Sequence, residues 1–238
     1  MYPGSCFLIL GSCFLIDFSP CMKKLKAYIK LLRNEFTSSV LDETNVSRSP
    51  LIQFTKWLQN AVDANVIEPN AMTLATASKE GLVDARIVLL RDFDSKGFSF
   101  FTNYNSIKGR EIRHNKKACL NFFWPELQRQ VRIKGIVDKL SPRVSDQYFI
   151  TRPRESQIAA WASHQSERLI NRNELESRYL EYEKKFTGQN IPRPPHWGGF
   201  RLKPDNFEFW QGRLNRLHDR VIYEHLRNGK WEIQRLNP

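Results

Sequence analysis

The chain has 238 residues, of which 41% are hydrophobic, 26% charged and 12% aromatic. That is enough apolar material to bury a core without disulfide staples, and it excludes a disordered, collagen-like or coiled-coil chain. The 37 Lys and Arg against 25 Asp and Glu give a net charge of +12, a bias toward anionic or phosphorylated partners that names none of them.

Residues 1–21, MYPGSCFLILGSCFLIDFSPC, repeat GSCFLI and hold Cys6, Cys13 and Cys21, three of the four cysteines. No Lys or Arg precedes Lys23, so the basic region of an export signal is missing. The apolar run, broken by glycines, serines and Asp17, falls short of the roughly 20 residues that span a bilayer. The segment reads as an extension upstream of a native start at Met22, with a lipid or membrane anchor ending at Cys21 as the alternative. Cys119, the single cysteine after Met22, fits a reducing cytoplasm. No membrane association and no nucleic-acid partner is expected.

A helix is predicted over Lys23–Phe36, with Leu25, Ile29, Leu32 and Phe36 on one stripe. The chain from Met22 to residue 48 reads as a mobile N-terminal lid, followed by one domain over 49–238. Ser49 and Pro50 form an N-cap and N1 pair before the helical face of Leu51, Phe54, Trp57, Leu58 and Val62. Short runs rich in Val, Ile, Phe and Thr then predict strands at 71–77, 85–90, 98–102, 118–124 and 130–140, joined by tight turns. Lys108 falls in the turn after Phe101-Thr102-Asn103. Helices follow at 142–150, 155–162 and after an Asn171 cap, the last with Leu175, Tyr179, Tyr182 and Phe186 on one face. Strands return at 199–202, 207–210, 220–225 and 231–235, and Asn228-Gly229 predicts a type I′ hairpin between the last two. The class is mainly β with attached helices (α+β), an antiparallel sheet closed as a barrel.

Neither GxxxxGK[ST] nor GxGxxG occurs, and the five histidines include no HExxH or other metal spacing, so no metal is expected. The densest polar block is Glu208-Phe209-Trp210-Gln211-Gly212 followed by Arg216-Leu217-His218-Asp219-Arg220. If extended, it puts Arg216, His218 and Arg220 on one strand face, two guanidiniums flanking an imidazole. Taken singly, that face reads better as a solvated edge strand, Arg86 as a strand end paired with Asp84 or Asp92, and Lys108 as a solvated lysine.

Their order along the chain is more specific. Arg86-Ile87-Val88-Leu89-Leu90, Phe101-Thr102-Asn103, Ser106 with Lys108, Arg129-Gln130-Val131, Tyr148-Phe149 with Arg152-Pro153, Ser156-Gln157-Ile158, His164-Gln165-Ser166, Trp197-Gly198-Gly199 and the EFWQG…RLHDR block together resemble the pyridoxine (pyridoxamine) 5′-phosphate oxidase family, from about Leu32 to Pro238. The resemblance implies a homodimer of FMN-binding split β-barrels, with the flavin at the subunit interface. It implies oxidation of pyridoxamine 5′-phosphate or pyridoxine 5′-phosphate to pyridoxal 5′-phosphate by O2, with release of hydrogen peroxide.

Carried over by position, Arg86 and Lys108 match FMN phosphate ligands. Ile87, Val88, Leu89, Leu90, Arg91, Phe101 and Thr102 line the flavin, and Gln130, Gln165, Ser166, Trp210 and Arg220 complete its contacts. Arg33, Arg91, Tyr148, Arg152, Ser156, Arg216 and His218 match the substrate site, with Arg216 and His218 as its catalytic pair. Three positions depart from the family pattern: Arg91 replaces a lysine, Ile107 replaces a basic residue beside Lys108, and Phe36 replaces a tyrosine near Arg33. A noncatalytic flavin-binding or haem-binding split barrel is the competing class, and it has no need of Arg216 and His218.

Overall fold

The structure, a computed structural model, describes residues 19–31 and 40–238. The expectations for residues 1–18 and for Leu32, Arg33 and Phe36 lie outside the described residues. Helix α1 (Ser19–Leu31) belongs to a unit separate from the rest of the chain. It begins upstream of the predicted Lys23, with Pro20 in its first turn, where a missing N–H costs no helical bond. Leu25 and Ile29 of its predicted apolar stripe are exposed.

In the second unit, Ser49 caps α2 (Pro50–Asp63) by accepting from the Ile52 N–H at 3.4 Å. The strands are β1 (Ala71–Ala77), β2 (Val83–Leu89), β3 (Asp92–Asp94), β4 (Gly97–Asn103), β5 (Lys117–Trp124), β6 (Arg129–Lys139), β7 (Trp197–Gln211), β8 (Asp219–His225) and β9 (Trp231–Leu236). All pairings are antiparallel, in the order β2-β1-β5-β6-β7-β4-β3, with β8 on the second half of β7 and β9 on β8.

The ends of that path, β2 and β3, are consecutive in the chain. Leu90 N–H still donates toward the β1 side, to Asn70 O at 2.8 Å, whereas Arg91 N–H donates to Ser99 O on β4 at 2.9 Å. The change of partner between adjacent residues curls the sheet on itself as a split barrel. Alternate residues face inward: Met72 and Leu74, Phe98 and Phe100, Leu120 and Phe122, Val131 and Ile133, and Phe207 and Phe209 are all buried. Helix α2 supplies Phe54, whose ring lies 5.0 Å from those of Phe98 and Phe122 and 5.2 Å from Phe93. With no exposed surface, Phe54→Ala should cost about 3–5 kcal/mol in a denaturation experiment, through lost burial and the cavity it leaves.

Three local expectations are corrected. The strands expected at 199–202 and 207–210 are one strand, β7, continuous through Pro204. Proline has no N–H for a ladder, and β7 accommodates it at a bulge against Lys134 and Gly135. A Cβ on Gly135 would stand 2.0 Å from Lys203 O, so only glycine allows this approach. The hairpin before β9 is not type I′, because Gly229 has positive φ (82°) and Asn228 does not. With Gly229 N–H bonded to Leu226 O and Leu226 N–H to Lys230 O, it matches a type I turn closed by a glycine bulge. Finally, Lys108 lies in helix α3 (Ile107–His114), capped by Ser106, which accepts from Gly109 N–H at 3.3 Å.

Helices α4 (Pro142–Ile150), α5 (Arg154–Ala162) and α6 (Arg172–Lys185) fall where predicted. They bury Phe149, Ile158 and Phe186 with Trp197 in a second, smaller core. Residues 41–48 pack on the barrel: Leu41 is buried, and Tyr223 Oη donates to Ser47 O at 2.7 Å.

Candidate functional site

A cleft of about 270 Å³ opens where β2, β4, α3, α4 and the loop after α5 converge, lined by Ile87, Val88, Leu89, Arg91, Phe101, Thr102, Lys108, Tyr148, Arg152, Gln165 and Trp197. One wall is aromatic: Phe101 stacks on Tyr148 at 3.8 Å, and Trp197 lies parallel to both. Gly199 makes room for that wall, since a Cβ there would stand 2.8 Å from Phe101 Cε1. Arg152 sits in the turn between α4 and α5 with its guanidinium 4.4 Å over the Trp197 ring. Its Nη1 is buried with no hydrogen-bond partner. Burial pushes this guanidinium below the usual arginine value; Tyr148 opposes the shift and the nearby Arg91 adds to it. A buried, unpartnered N–H of a cation is a binding site for an anionic oxygen.

At the other end of the cleft Lys108 Nζ donates to Gln165 Oε1 at 3.0 Å, and Thr102 Oγ1 donates to the same oxygen at 3.0 Å. Burial, then the neighbouring Arg86, push the Lys108 ammonium below the ordinary lysine value, against Asp84 and Glu111. Arg86 is held in place: its Nη2 meets Asp84 Oδ2 at 2.5 Å and Glu111 Oε2 at 3.2 Å, while Nη1 donates to Thr76 and to Leu74 O. The Arg86–Asp84 pair is one of the two that the sequence allowed, whereas Glu111 is a partner that the sequence reading missed. Glu111 is four residues after Ile107 on α3, a spacing legible only once that helix is known. Two cations near one end and an aromatic wall along the other side fit a phosphorylated, planar ligand such as a flavin nucleotide.

The remaining predicted residues gather elsewhere. Gln130 pairs with Trp210 across β6 and β7, and Trp210 with Arg220 across β7 and β8. Directly opposed residues share a face, and the flanking Val131, Phe209 and Val221 are buried inside, so these three line the outer surface. Arg220 donates from Nε to Glu208 Oε1 at 2.9 Å and from Nη1 to Asn237 O at 2.9 Å. The His218 and Trp210 rings are 4.7 Å apart.

Arg216 and His218 are not on the strand face predicted for them. Arg216 ends a 3₁₀ turn, Leu214–Arg216, with φ of 55° at Asn215 and 61° at Arg216, and β8 starts only at Asp219. The left-handed pair reverses the chain direction, so alternation does not extend back through the RLHDR motif. Instead, Arg213 N–H donates to His218 Nδ1 at 3.1 Å. Of the other predicted residues, Ser166 (φ 73°) lines a neighbouring cavity of about 200 Å³, Leu90 is buried in the barrel core, and half-buried Ser156 is not among the lining residues of the cleft.

Gly199, against Phe101, and Trp210 are separated along β7 by about 35 Å at roughly 3.3 Å per strand residue. The predicted site residues therefore fall into two groups at opposite ends of the longest strand. A family model described as pyridoxamine 5′-phosphate oxidase matches residues 58–186, and one described as the pyridoxine 5′-phosphate oxidase C-terminal dimerisation region matches residues 197–238. The chain belongs to the pyridoxamine 5′-phosphate oxidase family. It is 54% identical over 207 residues to the pyridoxine/pyridoxamine 5′-phosphate oxidase of Nostoc punctiforme, covering 87% of this chain and 97% of the relative. It is 52% identical to that of Bordetella pertussis, covering 87% and 98%. Among solved structures, PhzG from Burkholderia lata 383, in complex with tetrahydrophenazine-1-carboxylic acid, superposes with a TM-score of 0.80 at 31% identity, covering 86% of this chain and all of that one. A pyridoxamine 5′-phosphate oxidase-related, FMN-binding protein of Nostoc punctiforme shares the fold at a TM-score of 0.64.

The pyridoxamine 5′-phosphate oxidase family consists of FMN-dependent oxidoreductases, and residues 197–238 are its dimerisation region. Among the described residues no helix is long and apolar enough to cross a membrane.

Proposed function

We propose that the chain oxidises pyridoxamine 5′-phosphate or pyridoxine 5′-phosphate to pyridoxal 5′-phosphate with O2 as electron acceptor, giving hydrogen peroxide, and ammonia from the amine. The observation that carries this reading is the cleft itself, where the unpartnered Nη1 of Arg152 lies beside Arg91, Tyr148 and an aromatic wall. Tyr148 and Arg152, on the end of α4 and the turn after it, supply a phenol and a guanidinium for a substrate phosphate; Ser156, at the start of α5 and outside the cleft lining, is the third residue that the family resemblance assigns to it. FMN, when bound, supplies the two-electron acceptance and the return of those electrons to O2. Lys108 and Arg86 hold its phosphate, with Asp84 and Glu111 fixing the Arg86 fork. Residues 87–89, Phe101 and Thr102 form the wall against its ring.

In this reading Gln130, Trp210, Arg216, His218 and Arg220 complete the cleft of a second copy of the chain, so that the homodimer carries two composite sites. The location is cytoplasmic. Burial, with the adjacent Arg216, lowers the His218 pKa below the ordinary imidazole value, against Asp219. The imidazole is then uncharged at neutral pH, with Nδ1 accepting from Arg213 and its proton on Nε2. As pH falls through that lowered value His218 becomes charged, so kcat/KM should fall on an acid limb centred below about 6.5; a limb centred above it contradicts this placement of His218.

Anaerobic addition of pyridoxamine 5′-phosphate should bleach the yellow of the purified protein, and air should restore it with one hydrogen peroxide per pyridoxal 5′-phosphate. A passive flavin binder stays yellow throughout.

A further inference from the structure

Asp219 lies between the two residues assigned to opposite roles, His218 toward substrate and Arg220 toward flavin, and its own side chain bonds to other parts of the chain. The side chain is 13% exposed and joins three separate stretches of chain. Its Oδ1 accepts from Arg235 Nη1 on β9 at 2.8 Å. Its Oδ2 accepts the backbone N–H of Leu41 at 3.1 Å and faces Arg213 Nε at 3.6 Å. Arg213 is also the residue whose N–H holds His218 Nδ1. Arg235 in turn donates to Glu43 Oε2 at 2.6 Å and to Leu41 O at 3.1 Å.

The loop between β7 and β8 needs such an anchor. Its two left-handed residues, Asn215 and Arg216, adopt a conformation that side chains disfavour unless the surroundings impose it. Within this loop Leu217 N–H donates to Leu214 O and Arg213 N–H to His218 Nδ1. Asp219 fixes the point where the loop re-enters the sheet, opposite Gln211, and draws Arg213 in from the other end.

We propose that Asp219 is a positioning residue that sets the Arg216–His218 loop by bridging Arg213, Arg235 and the Leu41 amide. The inference rests on the oxidase reading above and adds to it a role for the chain on either side of the barrel. The segment before α2 and the last strand both reach the loop through one carboxylate. A one-ångström misplacement of groups that meet the substrate costs turnover without touching the chemistry.

Asp219→Asn keeps the size of the side chain and removes its charge, while Arg235→Met cuts the same bridge from the far side. Both variants should purify with the FMN content and FMN dissociation constant of the parent. Both should lose roughly tenfold to hundredfold in kcat/KM for pyridoxamine 5′-phosphate per bound FMN. Turnover per bound FMN within threefold of the parent overturns the proposal, as does a loss that only tracks missing flavin or missing folded protein. If Asp219→Asn fails to fold, Arg235→Met decides between the same outcomes. A parent protein with no oxidase activity overturns the underlying reading instead, and is told apart by the parent assay alone.

Discussion

Arg216→Ala and His218→Ala are expected to purify yellow and to turn over poorly, by roughly hundredfold or more in kcat/KM, whereas Arg220→Ala is expected to purify depleted of FMN. The distinction follows from how each residue is held. Arg220 lies in register with Trp210 and Gln130 on the ladder, its fork fixed by the buried Glu208 carboxylate and the Asn237 carbonyl. It is therefore part of a rigid outer surface suited to a tightly held cofactor. Arg216 and His218 sit on the loop beyond that ladder, the first in a left-handed turn and the second tilted against the Trp210 ring, where they can meet a ligand that enters and leaves. Excess FMN should restore part of the Arg220→Ala activity by mass action, and none of the activity lost in the other two. If Arg216→Ala lost flavin while Arg220→Ala kept it and failed only in turnover, the two assignments would be reversed.

Lys108→Met should weaken FMN binding by roughly tenfold to a hundredfold, the worth of one charged hydrogen bond, while leaving the thermal melting of the apoprotein close to that of the parent. The ammonium is buried and donates to the neutral Gln165 oxygen, so its removal leaves that amide, and no carboxylate, without its bond. The neighbouring position predicts the opposite sign. Ile107 opens α3 and is 41% exposed; Ile107→Arg adds a second cation at the helix N-terminus and should tighten FMN by about 1 kcal/mol. Flavin fluorescence titration of the two apoproteins measures both, and an unchanged dissociation constant for Lys108→Met would remove the phosphate from this end of the cleft.

Features governed by adjacent residues were legible in the sequence. Ser49, Ser141 and Asn171 cap helices, and β1, β2, β4, β5 and β6 fall within a residue or two of their apolar runs, whereas the three-residue β3, Asp92–Asp94, is too short to show as a run. What escaped depends on partners distant in sequence. Nothing next to Pro204 reveals that β7 runs through it, because the accommodating glycine is Gly135 on another strand. The short helix α3 has a polar sequence with one deeply buried apolar residue, Ile112, too little periodicity to show. The RLHDR motif looks like alternating strand because its left-handed turn resides in Asn215 and Arg216, neither of them glycine. The site residues were named through the family resemblance, but their division into two groups at opposite ends of β7 is a matter of topology that no motif records.

That division is tested most directly by mixing two inactive variants. Arg152→Ala removes a group from the cleft and Arg216→Ala removes one from the loop at the far end of β7. In a hybrid dimer with composite sites, one site collects both defects and the other collects neither. Unfolded together and refolded with FMN, the two variants should regain up to about one quarter of the parent turnover at random pairing, since half of the dimers are hybrids with one intact site. Variants refolded separately and then combined should stay inactive. If the refolded mixture is no more active than either variant alone, each site is built within a single chain, and the composite dimer is wrong.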